Sequence, residues 1–305
     1  MSAAMRFFEM RRAPHDTFFS HIPTRELVRL MQTCCRIYGL VKDRCFNVDH
    51  LLIPFFGDAA KANQFRELQR QTQTVISGST ALQFFNRLTW PDSDLDLYVP
   101  HASAAFIVLF LRDSGYAFRP REIQRKDPSL QLFDDGPKDY HERGIIDVLD
   151  FHNESKKIQV IIFGTPSSME VIAGFHSTCV MNVITHDVAF ALYPWSTFVT
   201  KEAVKVKSVS WSTEEGKEAA RRKYEERGWK MLKHPSPNCT SELGVRMHRS
   251  VGDRFTWTIS LPCLPPSFGR ARSDFIREFQ WRLDRDGEET SMMKHIVSLG
   301  TYTTP

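Results

Sequence analysis

The sequence predicts an α+β protein in which helices flank a mixed sheet, and three observations support this class. Residues 75–100, VISGSTALQFFNRLTWPDSDLDLYVP, fit a strand, a tight turn, a helix and a second strand. Residues 145–163 fit a β-hairpin with its turn at 152–157. Helical spacing of apolar residues dominates the chain before them. The predicted regions are a helical N-terminal region (1–70), a core (71–200), a C-terminal α/β extension with a charged helix and short strands (201–287), and a disordered tail (288–305).

The first predicted strand leads into a turn that suits phosphate binding. Val75 and Ile76 form the strand, and Gly78 and Ser79 form the turn that leaves it. A helix over Thr80–Arg87 follows, and its first amide groups are free to face a phosphate. This order of elements is typical of a site that handles nucleotides.

The second predicted strand carries a pair of carboxylates. Asp94 and Asp96 alternate with aliphatic residues, so the strand buries the aliphatic set and aims both carboxylates at its other face. Two such carboxylates can hold Mg²⁺, which completes its shell with water and substrate phosphates. Asp92 is a competing member of the cluster, but apolar residues fall regularly only around Asp94 and Asp96. The aliphatic set is Leu95, Leu97 and Val99.

These residues together resemble the nucleotidyltransferase superfamily, which includes poly(A) polymerases, CCA-adding enzymes and antibiotic nucleotidyltransferases. Gly78 and Ser79 match the nucleotide-binding turn of that family, and Asp94 and Asp96 match its metal ligands and catalytic carboxylates. The resemblance implies a nucleotidyltransferase-like sheet that binds Mg²⁺ or Mn²⁺. It also implies transfer of a nucleoside monophosphate from an NTP to an acceptor hydroxyl, with RNA, protein and small molecules left open as acceptor.

The match to the family is incomplete at its third carboxylate. Ile158, Gln159 and Val160 match the strand that carries this acid in CCA-adding enzymes, so Gln159 stands at the third-ligand position. A neutral amide can coordinate a metal but cannot act as a general base. Asp147 and Asp150 lie on the partner strand and face opposite sides, so only one of them could substitute. The activity therefore stays open, and the alternative is a nucleotide-binding protein without turnover.

Two further segments extend the resemblance. Residues 175–187, FHSTCVMNVITHD, are similar to the segment that follows in CCA-adding enzymes, with Asn182 as a nucleotide-binding residue. Together with the helical start and residues 76–85 and 93–99, this segment resembles a group of fungal proteins with a nucleotidyltransferase-like core. His176 is interpreted as a hydrogen-bonded structural residue in preference to a catalytic one. The run RRKYEER within Thr213–Gly228 is interpreted as a solvated helix face in preference to a phosphate contact, because its charges alternate in sign.

The N-terminal helices allow a different class of function. The stretch IPTRELVRLMQTCCRIY, from residue 22, is faintly similar to the latter half of an F-box. An F-box would make the chain an adaptor that binds a ubiquitin-ligase scaffold. A helical platform packed on the core is the competing interpretation, since amphipathic helices commonly cover cores.

Whole-chain properties predict an intracellular protein, cytoplasmic or nuclear. No apolar run reaches the length of a membrane span, and the N-terminus lacks the apolar segment of a secretion signal. The six cysteines are scattered without a C-x-x-C pair, so no zinc site or disulfide framework is indicated. The net charge of +4 permits a nucleic-acid partner without requiring one.

Overall fold

The computed structural model of the chain describes residues 18–132, 144–207, 214–235, 242–262, 274–286 and 290–297. Its helices are α1 Thr24–Met31, α2 Cys35–Cys45, α3 Val48–Phe56, α4 Ala59–Thr72, α5 Gly78–Asn86, α6 Ala104–Asp113, α7 Pro128–Gln131, α8 Ser168–Ala173, α9 Glu214–Glu226 and α10 Asp274–Arg277. Its strands are β1 Val75–Ser77, β2 Leu95–Pro100, β3 Ala117–Arg119, β4 Ile145–His152, β5 Lys157–Phe163, β6 Asn182–Ile184, β7 Val188–Ala191, β8 Glu202–Val204, β9 Lys230–Leu232, β10 Arg249–Ser250, β11 Trp257–Ser260, β12 Phe279–Asp286 and β13 Thr290–Val297.

Eight strands form one mixed sheet, in the order β11-β7-β6-β1-β2-β5-β4-β3. Within it β2 and β5 run parallel, and the other neighbouring strands run antiparallel. Smaller sheets join β10 with β12 and β13, and β8 with β9. The chain is therefore an α+β protein with a mixed sheet, as the sequence predicts, and the predicted hairpin is present as β4 and β5.

The two faces of the sheet pack against different layers. The aliphatic residues of β2 and β5 join a large core with the N-terminal helices α1 to α4 and with α5 and α6. The opposite face, which includes Tyr98 and Ile161, packs against α8 and against residues of β12. Because side chains alternate along a strand, this second face is also the one that receives Asp96. The prediction that β2 separates its aliphatic residues from its carboxylates is confirmed.

The N-terminal helices pack on the core through their apolar faces. Leu27, Met31 and Leu52 are buried in the main core. The apolar residues from Leu27 to Val41 lie on two helices, α1 and α2, because the backbone of Cys34 is extended (φ −164°, ψ 160°). Just before this break, the Thr33 hydroxyl donates to the carbonyl of Leu30 at the end of α1. A platform on the core therefore describes α1 to α4, and the F-box similarity stays a prediction. Residues 1–17 of the predicted region lie outside the described residues.

Residues from the C-terminal extension take part in the central sheet. Strand β11 pairs with β7 at the edge of the sheet, so the sheet takes a strand from the range 201–287 as well as from 71–200. Strand β13 pairs with β12 over eight residue pairs, Phe279↔Val297 to Asp286↔Thr290. The prediction of a disordered tail from residue 288 is therefore wrong for Thr290–Val297, which form a strand. Pairing with β12 supplies hydrogen-bond partners for backbone groups that would bond to water in a disordered tail. Residues 288–289 and 298–305 lie outside the described residues.

Across the described ranges, none of the helices combines the length and the apolar character that a membrane crossing requires.

Candidate functional site

Gly78 and Asp96 are in close contact where β1 passes into α5. Ser77 pairs with Asp96 across the antiparallel strands β1 and β2, so the next residue, Gly78, lies beside the Asp96 carboxylate. Gly78 has φ +68°, and a Cβ atom there would collide with Oδ2 of Asp96 and lie 3.3 Å from its Cγ. Position 78 therefore requires glycine for two reasons: the backbone is in the left-handed region, and a side chain would take the space of the Asp96 carboxylate. The turn and the Asp-x-Asp strand are brought together as predicted.

The first turn of α5 is tied to the start of β2. The Thr80 hydroxyl donates to the backbone carbonyl of Asp94 at 2.6 Å. Ser79 is buried, and among the described residues its hydroxyl makes no hydrogen bond to another side chain or to the backbone. The N-terminus of α5 therefore lies next to Asp94 and Asp96, and the first amide groups of a helix are suited to binding a phosphate.

Three neighbouring strands bring polar side chains into one row on the second face of the sheet. Asp96 on β2 pairs with Gln159 on β5, and Gln159 pairs with Asp150 on β4. The Gln159 amide donates from Nε2 to Oδ1 of Asp150 at 2.7 Å. The residue at the expected third-ligand position is thus adjacent to Asp96 and is bonded to the carboxylate that was considered as its substitute.

Lys157 forms ion pairs with two carboxylates on this face of the sheet. Its ammonium lies 3.2 Å from Oδ2 of Asp94 and 3.5 Å from Oδ1 of Asp150. Lys157 is two positions before Gln159 on β5, so both side chains project from the same face of the sheet. A fixed positive charge therefore lies between two carboxylates that the sequence places far apart.

Asp150 is fully engaged by other groups. Its Oδ2 accepts from Arg121 at 3.2 and 3.3 Å, while its Oδ1 contacts Gln159 and Lys157. Its neighbour Asp147 faces the other side of β4 and accepts from the buried amide of Gln131 at 2.7 Å. Asp150 is the one of the two hairpin acids that points at the site, and it serves there as an acceptor for cations and amides.

Asp96 carries a perturbed carboxyl group. Its side chain is partly exposed, yet burial by the surrounding protein raises the pKa of Asp96 to about 7. The nearby charge of Asp94 raises this pKa further, whereas Lys223 and Lys157 oppose the shift. Both effects disfavour the charged form, one by loss of water and the other by repulsion between like charges. A cation bound beside Asp96 would therefore relieve an electrostatic cost that is built into the site.

Helix α9 borders the same carboxylates. Loss of solvent lowers the pKa of Lys223, and the like charge of Arg227 lowers it further, whereas the opposite charges of Asp96 and Asp94 act against this shift. Tyr224 is buried, and the Arg227 guanidinium lies 3.8 Å from the ring centroid of Trp90. The RRKYEER helix is therefore only partly a solvated face, because Tyr224 is buried and Lys223 is near enough to the acidic site for its charge to act on Asp96.

Other predicted residues have structural partners. Asn182 is buried, its amide donates to the carbonyl of Cys179 at 2.8 Å, and its own backbone carbonyl accepts from the Ser77 hydroxyl at 2.6 Å. His176 shares a 2.9 Å hydrogen bond with the Ser177 hydroxyl, and burial lowers the pKa of His176 to about 4. Asn182 thus holds β6 beside β1, and His176 is a hydrogen-bonded structural residue.

The carboxylates of the site suit Mg²⁺ only in part. Within the described ranges, no group of three or more His, Cys, Asp and Glu side chains is placed to hold a metal ion. Asp94 and Asp96 supply a pair of carboxylates, and Mg²⁺ commonly uses one or two carboxylates together with water and the phosphates of its substrate. The residues therefore fit an ion that arrives with a nucleotide, and they do not form a cage that would hold it alone.

A polar cavity opens beside the carboxylates. It has a volume of about 280 Å³ and is lined by residues 91–94 of the loop before β2 and by residues 152–157 of the hairpin turn. Asp92 lines this cavity and is exposed, whereas Asp94 reaches Lys157 at its edge. The cavity therefore gives solvent and small molecules access to Asp94, one carboxylate of the pair.

Sequence reasoning missed two cations of the site, Lys157 and Lys223. Lys157 is two residues before Gln159 on a strand recognised as adjacent to β2, so its position on the same face was a usable signal. No local signal marks Lys223, because only tertiary packing brings α9 near β2.

Comparison of the chain with protein-family models, with curated proteins and with solved structures found no match.

Proposed function

We propose that the chain is a nucleotidyltransferase-like protein that transfers a nucleoside monophosphate from an NTP to an acceptor hydroxyl in a Mg²⁺-dependent reaction. The acceptor oxygen bonds to the α-phosphorus, the bond between the α- and β-phosphates breaks, and pyrophosphate and the hydroxyl proton are released. The observation that carries the proposal is the contact between Gly78 and Asp96. This contact joins a phosphate-binding type of turn to a carboxylate pair at the N-terminus of a helix. A helix N-terminus binds phosphate and a carboxylate pair binds a divalent ion, so the two in direct contact suit a nucleotide that carries a metal ion.

Each group has a role in this proposal. The amides of the Gly78–Ser79 turn and the Ser79 hydroxyl bind the terminal phosphates. Asp94 and Asp96 hold Mg²⁺, which when bound would neutralise phosphate charge and align the triphosphate for in-line attack. Lys223 approaches the same phosphates from α9. The chain contributes mainly by positioning the reactants and by neutralising charge, which together account for most of the catalysis in phosphoryl transfer.

The alternative is a protein that binds a nucleotide without turning it over. Two observations favour it: Gln159 supplies no carboxylate, and Lys157 lies 3.2 Å from Asp94. An ammonium paired with Asp94 reduces the negative charge that the carboxylates offer to metal ions. Nucleotide binding is common to both functions, and only turnover separates them.

Incubation with α-labelled NTPs tests the proposal. Each of the four nucleotides is supplied with Mg²⁺ or with EDTA, cell extract provides acceptors, and equilibrium dialysis measures nucleotide binding in parallel. Transfer by the wild-type chain that is lost in EDTA and in the double variant Asp94→Ala, Asp96→Ala supports the enzyme. Asp92→Ala is the matched control, since Asp92 is an exposed acid of the same loop.

The remaining outcomes are distinct. Nucleotide binding without transfer supports the non-catalytic alternative. Transfer that survives loss of both aspartates contradicts the mechanism, and absence of both binding and transfer contradicts both functions.

A further inference from the structure

Lys157 occupies the position at which a second positive charge is needed. Its ammonium bridges Asp94 on one side and Asp150 on the other, at 3.2 and 3.5 Å. In sites that hold two metal ions, the ions lie about 3.5–4 Å apart and share carboxylates. The Lys157 ammonium therefore places a positive charge next to a metal-binding carboxylate, as a second ion that shares this carboxylate would.

Asp150 holds the Lys157 ammonium through an ion pair in addition to the one with Asp94. Asp150 accepts hydrogen bonds from Gln159 and Arg121 and forms an ion pair with Lys157, so both of its oxygen atoms are occupied. The long lysine side chain starts at the first residue of β5, and strand pairing of β5 with β2 and β4 fixes its origin. Gln159 bonds to Asp150 and adds no charge. The third position of the site thus serves to position Lys157 and is not a free metal ligand.

Charge balance gives the same result. The three carboxylates Asp94, Asp96 and Asp150, together with Lys157 and Arg121, carry a net charge of minus one when the acids are ionised. One divalent ion changes this value to plus one, the charge that three carboxylates alone would reach with two divalent ions. A second divalent ion would be added to an excess of positive charge, with Lys223 also nearby.

We infer that Lys157 is a built-in substitute for a second metal ion, so that the site takes a single divalent cation at Asp94 and Asp96. The inference rests on the proposed function, and it assigns Lys157 as a positioning residue with a fixed charge. It explains how a site with glutamine at the third position can keep a balanced charge around a triphosphate. It predicts a metal stoichiometry that differs from that of a three-carboxylate site.

Counting bound Mn²⁺ tests the inference without depending on turnover. The full chain is titrated with Mn²⁺, alone and with a non-hydrolysable ATP analogue, while electron paramagnetic resonance reports free and bound ions. The wild type is expected to bind one Mn²⁺. Lys157→Met is expected to bind a second, at least roughly tenfold more tightly than the wild type does, because a nearby like charge has been removed. Two ions in one site also broaden the spectrum by dipolar coupling.

Controls separate charge from structure. Lys157→Arg keeps the charge and should keep one Mn²⁺. Lys156→Met removes the neighbouring ammonium, which donates to the carbonyl of Pro91 and contacts no carboxylate of the described residues, and it should leave the stoichiometry unchanged. Lys157→Gln is a second variant without the charge, and it is used if Lys157→Met does not fold.

Two results overturn the inference while leaving the proposed function intact: a wild type that binds two Mn²⁺ with similar affinity, or charge-removing variants that still bind one. A wild type that binds neither Mn²⁺ nor the nucleotide analogue overturns the proposed function and this inference together.

Discussion

Gly78 and Asp96 are matched to each other, since the missing side chain of one leaves room for the carboxylate of the other. The φ of Gly78 is +68°, and any Cβ atom there would overlap Oδ2 of Asp96. The contact connects a backbone requirement of the turn to the chemistry of the strand. Any side chain added at position 78 is therefore expected to disturb both the turn and the Asp96 carboxylate.

Gly78→Ala is expected to lower the free energy of unfolding by about 1–2 kcal/mol or more, because an L-residue is strained at this φ and the added methyl group displaces Asp96. It should also weaken nucleotide binding. Urea unfolding and equilibrium dialysis measure the two effects. Gly39→Ala is the matched control in α2, where nothing lies within 4 Å of the added Cβ, and it should leave stability unchanged or raise it by about 0.5–1 kcal/mol. Equal effects at the two glycines would contradict the assignment.

The pKa of Asp96, raised by burial to about 7 from an ordinary value of 3.8, predicts a pH dependence of stability. Below pH 4 the carboxyl is protonated in both the folded and the unfolded chain. Between pH 4 and 7 the unfolded chain releases this proton while the folded chain retains it, so stability falls as pH rises, and it levels off above 7.

Asp96→Asn removes this pH dependence. In metal-free buffer, the unfolding free energy of the variant minus that of the wild type should increase from pH 4 to pH 7 and then stay constant. Chemical unfolding at several pH values measures the difference, in which other titrating groups cancel. A difference that does not vary with pH would refute the raised pKa.

Lys223→Met is expected to weaken NTP binding about tenfold, since a hydrogen bond to a charged group contributes about 1.5–3 kcal/mol. Its neighbour Arg222 is also exposed but does not act on the carboxylates, so Arg222→Met should leave binding unchanged. Equilibrium dialysis with labelled ATP compares the two variants. An equal loss from both would indicate a general effect of net charge and not a phosphate contact.

Gln159→Asp is expected to increase Mn²⁺ affinity several-fold, because it adds a carboxylate beside Asp96. It should also cost about 1 kcal/mol of stability, since the bond to Asp150 is lost and two acids become neighbours. Calorimetric titration with Mn²⁺ and urea unfolding measure these changes. Gln124→Asp is the control, since the Gln124 amide donates to Asp147, which faces the other side of β4. A Gln159→Asp affinity no higher than that of the wild type would exclude position 159 as a ligand position.

Local patterns predicted the elements that position the site. The alternation of aliphatic and acidic residues identified β2 and its two faces, and the Gly-Ser turn located the start of α5. The hairpin spacing identified β4 and β5, and it assigned Asp147 and Asp150 to opposite faces. These features depend on neighbours within a few residues, so sequence periodicity contains them.

Other features depended on contacts between distant segments. The break between α1 and α2 at Cys34 and the pairing of β11 with β7 are not encoded in the periodicity of the sequence. The strand at Thr290–Val297 exists through its pairing with β12 and was predicted as disordered from its polar composition.

The sequence by itself determined that Gly78, Ser79, Asp94 and Asp96 belong to one strand-turn-helix-strand unit, because turn chemistry and side-chain alternation are local. Only the tertiary structure decided what surrounds the carboxylates. The parallel pairing of β2 with β5 sets Asp96 beside Gln159 and brings Lys157 to Asp94, although about sixty residues separate them in the chain. Such pairing is selected by backbone hydrogen bonds and by burial of both sheet faces, which are properties of the whole fold.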